Sequence, residues 1–340
     1  VFSEDIVTGK TSPLDTRYPD GGSNMRSMAA YITHTYEMGA KLILTEGIRF
    51  SNVTLNAEFA DTTFFPFLDR EVNQRNNAIT ASLGLVYNPG GDWRINLLAS
   101  SGFRAPNVDD LSKIFESIPG SVIVPNHDLK PEYTYNGELG ISKTIQDKIT
   151  LGTNAFYTFY LDAITTQSGI FLGKDSILYE GQLSRVSMNV NESKAFIYGL
   201  NAYIFMGLTE NISITSTLNY TYGRIKADTG NYPLDHIPPL FGKTSITFSL
   251  NKFKGEFYMM YNEWKYLKDY NLLGEDNFSF ATSEGMPSWV TLNINAAYQI
   301  HKNIQLQIAL ENILDQNYRI FGSGISGAGR NFVFTLRGRF

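Results

Sequence analysis

Four histidines are the first place to look for chemistry in this 340-residue chain. His34, His127, His236 and His301 are scattered along it, and no two have metal-ligand spacing such as His-x-x-x-His. His236 stands in Leu234-Asp235-His236-Ile237-Pro238-Pro239, which reads as a rigid entry from a loop into a strand. His127, in another loop, is the candidate for ligating haem. The acidic pairs Asp109-Asp110 and Glu275-Asp276 could bind calcium, but they lack EF-hand spacing, and solvated loop charges are the default reading. Gly322-Ser323-Gly324-Ile325-Ser326-Gly327 looks like a phosphate loop only superficially, because the lysine and the following helix are missing. There is no Gly-x-Ser-x-Gly elbow, no dinucleotide fingerprint and no cysteine. The expectation is therefore a protein that is not an enzyme and holds no resident cofactor or metal.

Binding has more candidates. Tyr266, Tyr270, Phe278, Phe280 and Phe321 fall in loop segments and could stack on a sugar, corrin, porphyrin or catecholate ring. Arg94, Arg337 and Arg339 sit on polar strand faces and could attract an anionic ligand through charge-assisted bonds. Packing within the fold is the competing reading for each of them.

The elements that must carry these residues are strands. In Arg330 to Phe340, Phe332, Phe334, Leu336, Gly338 and Phe340 alternate with Asn331, Val333, Thr335, Arg337 and Arg339. Period-two alternation gives one apolar and one polar face. The same pattern predicts 13 strands, near 25–38, 41–59, 74–88, 92–103, 132–144, 148–165, 186–205, 210–226, 242–250, 254–266, 288–300, 304–313 and 330–340. Most exceed the usual globular length of about 5–6 residues, and a bilayer-crossing strand needs roughly 9–11. Tight turns such as Gly39-Ala40 and His301-Lys302 alternate strictly with long connections near 60–73, 104–131, 166–185, 227–241, 267–287 and 314–329.

Short turns at one end and long loops at the other are the habit of outer-membrane barrels. The polar faces hold Asn, Ser, Thr and Gln rather than Lys and Glu, which suits a confined lumen. Apolar faces then meet lipid, and Tyr87, Trp93, Trp289 and Tyr298 near strand ends would form the interfacial girdle. Composition agrees: 14% of residues are aromatic, 18% are charged, and no run of 18 apolar residues supplies a membrane helix. A net charge of −5 without a basic run argues against nucleic-acid binding. Residues 1–24 read as an extracellular loop, and 25–340 as barrel. Thirteen is odd, whereas single-chain bacterial barrels are even-stranded, so the chain reads as the C-terminal part of a longer barrel. It shows no signal peptide, as a truncated or processed chain would not.

Three segments carry a resemblance. They are Ser101-Gly102-Phe103-Arg104-Ala105-Pro106-Asn107 with Pro125-Asn126-His127-Asp128-Leu129-Lys130-Pro131-Glu132, then Glu311-Asn312-Ile313-Leu314-Asp315-Gln316-Asn317-Tyr318-Arg319, and finally Gly329-Arg330-Asn331-Phe332 leading to Phe340. Together they resemble the C-terminal half of a TonB-dependent outer-membrane receptor, with wording nearest the Bacteroidota type. The resemblance implies a transmembrane antiparallel barrel of 22 strands, of which these are the last 13, plugged by an N-terminal domain that lies outside this chain. It implies import of a scarce nutrient, with siderophore-iron or haem first, then cobalamin, then oligosaccharide or peptide.

Implied partners are outer-membrane lipid, the rest of the barrel and its plug, and the TonB complex reached through the N-terminal part. The barrel-assembly machinery would read Phe340, and a surface lipoprotein is a further candidate. Arg104, Asn107, Asn312, Asp315 and Tyr318 would be scaffold residues, and the lumenal arginines would touch the plug. A receptor-like structural subunit of a membrane assembly and a passive porin are the alternatives.

Overall fold

The computed structural model describes residues 2–4, 6–13, 18–61, 70–118, 120–179, 181–227, 230–271 and 276–339. Phe340 and Glu275 lie outside the described residues. Thirteen long strands follow in chain order. They are β1 (Gly22–Met38), β2 (Leu42–Glu58), β3 (Glu71–Gly90), β4 (Trp93–Arg104), β5 (Glu132–Ile145), β6 (Ile149–Ser168), β7 (Gln182–Gly207), β8 (Ile212–Ala227), β9 (Phe241–Leu250), β10 (Phe253–Asn262), β11 (Trp289–His301), β12 (Ile304–Glu311) and β13 (Asn331–Gly338). Every predicted strand is present; β3, β6 and β7 run several residues further into the long-loop side, to 20, 20 and 26 residues. The 1–24 segment holds a short hairpin of Phe2–Glu4 with Thr11–Pro13, and β1 begins at Gly22.

Each long strand pairs antiparallel with the next, giving one continuous meander. Among the described residues no register joins β1 to β13, so the curved sheet has two open edges. No helix is long and apolar enough to cross a membrane.

Register decides the two faces. One rung runs Leu44, Leu85, Leu97, Leu139, Ala155, Leu200 and Tyr220 across seven strands. Leu97, Leu139 and Leu200 are 41–47% exposed, which only a lipid environment makes favourable. An opposite-face rung carries Asn96, Gly140, Asn154, Asn201 and Asn219. There Glu138 accepts from Asn136 (2.7 Å) and Asn154 (3.2 Å), while Thr158 donates to Asn136 (2.8 Å). Small amides and carboxylates hydrogen-bonded to one another make a lumenal lining. Gly152 belongs to it because the Tyr203 ring lies across its Cα, where a Cβ would collide.

The girdle expectation needs one correction. Tyr87 and Trp93 are exposed on the outer face, as is Tyr298. Trp289, however, is 8% exposed and shares its parity with Asn293 and Asn295 on the inner face. Its indole packs 4.5 Å from Tyr318 and donates to the Arg319 carbonyl at 3.0 Å. Position near a strand end does not reveal which face a ring takes.

One ionisable pair interrupts the outer apolar band. His34 and Glu46 are opposite one another, between the Ile32–Ile48 and Tyr36–Leu44 pairs, with His34 Nδ1 and Glu46 Oε2 3.7 Å apart and both side chains exposed. Facing hydrocarbon, these polar groups cost rather than contribute. The double substitution His34→Leu/Glu46→Leu is expected to stabilise the membrane-embedded protein by up to ~2 kcal/mol. Urea unfolding in lipid vesicles checks it; a loss of stability would mean that the pair contacts something other than lipid.

Candidate functional site

The long connections fold into two packed groups on one end of the sheet. The first is the 105–131 connection. Arg104, the last residue of β4, donates from Nε to Glu132 at 2.6 Å and from Nη1 to Asp110 at 2.7 Å. Asn107 then caps a one-turn helix, α1 (Val108–Ser112). Its side chain accepts from the Asp110 amide at 3.0 Å, and the Asp110 carboxylate accepts from the Asn107 amide at 2.9 Å. Glu132 also accepts from the Ile164 amide at 3.0 Å. Leu111, fully buried, packs with Leu55, Ala57, Phe59, Val72 and Leu129. The strand Ser121–Val124 adds in parallel to the edge of β7, burying Val122 and Val124 against Val186.

The carboxylates of Asp109 and Asp110 are thus engaged by Tyr18 and Arg104, and Asp276 accepts two backbone amides. Among the described residues no three metal-ligating side chains gather. His127 is half-buried in the same connection, and its carbonyl accepts from Gln74 at 3.2 Å.

The second group unites 230–240, 263–271, 276–288 and 312–330. Asn312 is 3% exposed and has φ 49°. Its amide donates to the Gln316 and Ala328 carbonyls (2.9 and 3.0 Å), its oxygen accepts from the Gln316 amide (2.9 Å), and its backbone donates to Asn293 (2.8 Å). Asp315 accepts from the Arg330 amide at 2.8 Å, closing the loop's base. These two residues and Tyr318, which lies over Gly327, hold the connection in shape.

Asp276 is the equivalent anchor of the neighbouring loop. Fully buried, its two oxygens accept the His236 and Asn271 amides, each at 2.8 Å. Asp276→Asn would turn an amide donor against a backbone donor. A local loss of roughly 2 kcal/mol is expected, visible as faster hydrogen exchange at His236 and Asn271. Unchanged exchange would remove Asp276 from this role.

The loop aromatics divide into support and surface. Tyr270 is 4% exposed, its ring edge-on to Phe278 (6.4 Å) and Phe321 (5.2 Å). Burial, then the Asp276 carboxylate, pushes its phenol pKa up. Lys265 is buried over the Phe321 ring at 4.7 Å and donates to the Ile237 carbonyl at 2.6 Å. Burial lowers its pKa against the pull of Asp276 and Asp269.

Tyr266, Phe278 and Phe280, by contrast, are 48–53% exposed. Lys268 lies 5.6 Å from the Tyr266 ring, Trp264 flanks it, and the Arg319 guanidinium lies 4.8 Å over Phe280. Tyr266 and Phe280 are thus exposed rings that each carry a cation against the face or edge. Nothing in the sequence marks Lys265, Lys268 or Trp264, or pairs Arg319 with Phe280, since only the folded loops bring them onto rings. Arg94 (bonded to Asn96 at 3.1 Å), Arg337 and Arg339 lie at the short-turn end of the inner face, away from these loop rings.

Residues 3–313 match the family described as TonB dependent receptor-like, beta-barrel. The chain belongs to this family of TonB-dependent receptor barrels. Among curated relatives, the "Probable hemoglobin and hemoglobin-haptoglobin-binding protein 4" of Haemophilus influenzae is 28% identical over 72% of this chain and 25% of its own length. The "Iron-regulated outer membrane virulence protein" of Vibrio cholerae serotype O1 is 23% identical, covering 82% of this chain and 42% of the relative. Among solved structures, the "Copper transporter OprC" superposes with a TM-score of 0.78 at 16% identity, over 99% of this chain and 51% of that one. The chain thus spans a quarter to a half of the length of these proteins. This receptor barrel is an outer-membrane structure, with its leucine-rich face to lipid and its asparagine-rich face inward.

Proposed function

We propose that this chain forms the C-terminal part of the barrel of a TonB-dependent receptor that imports an iron-bearing ligand, siderophore-iron or haem. The observation that carries the reading is the exposure of Tyr266, Phe278 and Phe280 in the loops, with Lys268 against Tyr266 and Arg319 against Phe280. Rings edged by cations would hold a flat conjugated or anionic chelate. The relatives' printed names, haemoglobin-binding and iron-regulated, support iron over cobalamin or oligosaccharide.

Residues 1–24 serve as extracellular loop, and the inner face, with Arg94, Arg337 and Arg339 at its short-turn end, receives a plug. The open edges of β1 and β13 pair with the remaining strands of the barrel, because unpaired edges in lipid leave backbone groups unbonded. TonB supplies the energy through the part of the receptor outside this chain, the barrel-assembly machinery inserts it, and no residue acts in covalent catalysis.

The receptor carrying this chain, expressed in a strain lacking other iron receptors, should restore growth on a ferric siderophore or haem. Tyr266→Ala/Phe280→Ala should weaken binding of that ligand at least tenfold. Growth on neither source, together with ion conduction in planar bilayers, would support a passive porin instead. Growth on neither source without conduction would favour a structural subunit.

A further inference from the structure

Lys194 on β7 and Lys226 on β8 stand directly opposite one another in the strand register. Both are exposed. Like charges at opposed positions repel, so such a pair is destabilising unless something anionic lies against it. The cross-strand neighbours beyond them are Leu161 and Asn231, neither of which is acidic. Among the described residues neither lysine has an ion-pair partner. The nearby Arg224, by contrast, is bonded to Asp269.

Their height on the barrel is defined by what lies beneath. Down the outer face of β7 from Lys194 come Phe196, Tyr198, Leu200, Ala202, Ile204 and Met206. The ten residue steps of strand from Phe196 to Met206, tilted in a barrel, span roughly 25 Å, the height of an apolar band. The upper end of that band is a sheet of rings. Tyr157 and Phe196 are stacked at 6.1 Å, Phe196 and Tyr198 at 6.2 Å, and Tyr198 meets Tyr222 at 5.2 Å. Aromatic rings mark the boundary between hydrocarbon and headgroups. The two ammonium groups sit one rung above it, on the long-loop side. Lys226 is held there by the Phe196 ring, with Nζ 5.1 Å from the centroid.

We propose that Lys194 and Lys226 form a binding site for the phosphate of an outer-leaflet lipid headgroup, with acyl chains lying on the Tyr157, Phe196 and Tyr198 rings. The anion screens the repulsion between the lysines, and the rings give the chains a flat surface. The site lies on the outside of the barrel and is independent of the ligand carried through it.

The test uses the whole receptor in detergent, titrated with lipid A, with its dephosphorylated form and with inorganic phosphate, and binding read by native mass spectrometry. Wild type should bind lipid A more tightly than the dephosphorylated lipid, and inorganic phosphate should not compete at equal concentration. Lys194→Gln/Lys226→Gln should lose roughly 30-fold in lipid A affinity, from about 1 kcal/mol per lysine. Lys194→Arg/Lys226→Arg should retain it. Equal wild-type affinity for the two lipids overturns the proposal, and that comparison needs no variant to fold. An unchanged affinity in the glutamine variant overturns it too, and full competition by inorganic phosphate would reassign the pair to a free anion.

Discussion

Changing Asn312 to aspartate is expected to open the 312–330 connection while leaving the barrel in place. The asparagine amide donates to two carbonyls, those of Gln316 and Ala328, in a site that is 3% exposed. A carboxylate can only accept, so it would confront both carbonyl oxygens and keep a single bond, from the Gln316 amide. A buried charge so placed costs about 3 kcal/mol or more. Exchange at the Gln316 and Gly327 amides should therefore accelerate more than a hundredfold. Lowering the pH should restore part of the protection, because the protonated acid regains one donor. Asn312→Gly separates the two contributions: it suits φ 49° but supplies no side-chain bonds, so it should fall between wild type and aspartate. Equal protection in all three proteins would show that the loop does not depend on this residue.

Arg104 is the second large expectation. Arg104→Met would leave Asp110 and Glu132, whose side chains are only 15% and 13% exposed, facing each other without their cation. Breaking a fully buried pair costs about 3–5 kcal/mol. Arg104 is itself 43% exposed, and discounting for that screening leaves roughly 2 kcal/mol. Limited proteolysis should then cut within 105–131 in the variant and not in wild type. Arg104→Lys should rescue only partly, because a single ammonium cannot reproduce the fork that reaches both carboxylates. Arg104→Met/Glu132→Gln should be less sensitive than the single variant, since one of the stranded charges is gone. If the single variant resists protease as wild type does, the clamp is not what holds this connection.

The motifs around Arg104 and Asn312 could be read as scaffold from sequence, because capping and turn chemistry involve residues a few positions apart. The Asn107 and Asp110 capping box joins positions three apart, and the Asn312–Gln316 bonds join positions four apart. Their long-range partners were not readable in this way. Nothing local says that Glu132 and Asp110 share one guanidinium, or that Asn293 of β11 receives the Asn312 amide. The loop aromatics show the same limit. Tyr266, Tyr270, Phe278, Phe280 and Phe321 look alike in sequence, yet Tyr270 is buried against Phe278 and Phe321, and Phe321 is covered by Lys265. Which ring is exposed and which is support depends on how three connections pack together.

By itself, the sequence determined the strands, their number, the sorting of short turns from long connections and the two-faced character of the sheet. Each of these follows from side-chain alternation and turn chemistry within a few residues, which chain geometry alone dictates. Only the tertiary structure decided what lies beside what. It turned Trp289 inward, placed His34 against Glu46 in the apolar band, and set Lys194 opposite Lys226 above a sheet of rings. Those facts depend on register between strands, and a one-residue slip would send every side chain to the other face. Register is fixed by the packing of the whole sheet, so no single segment contains it.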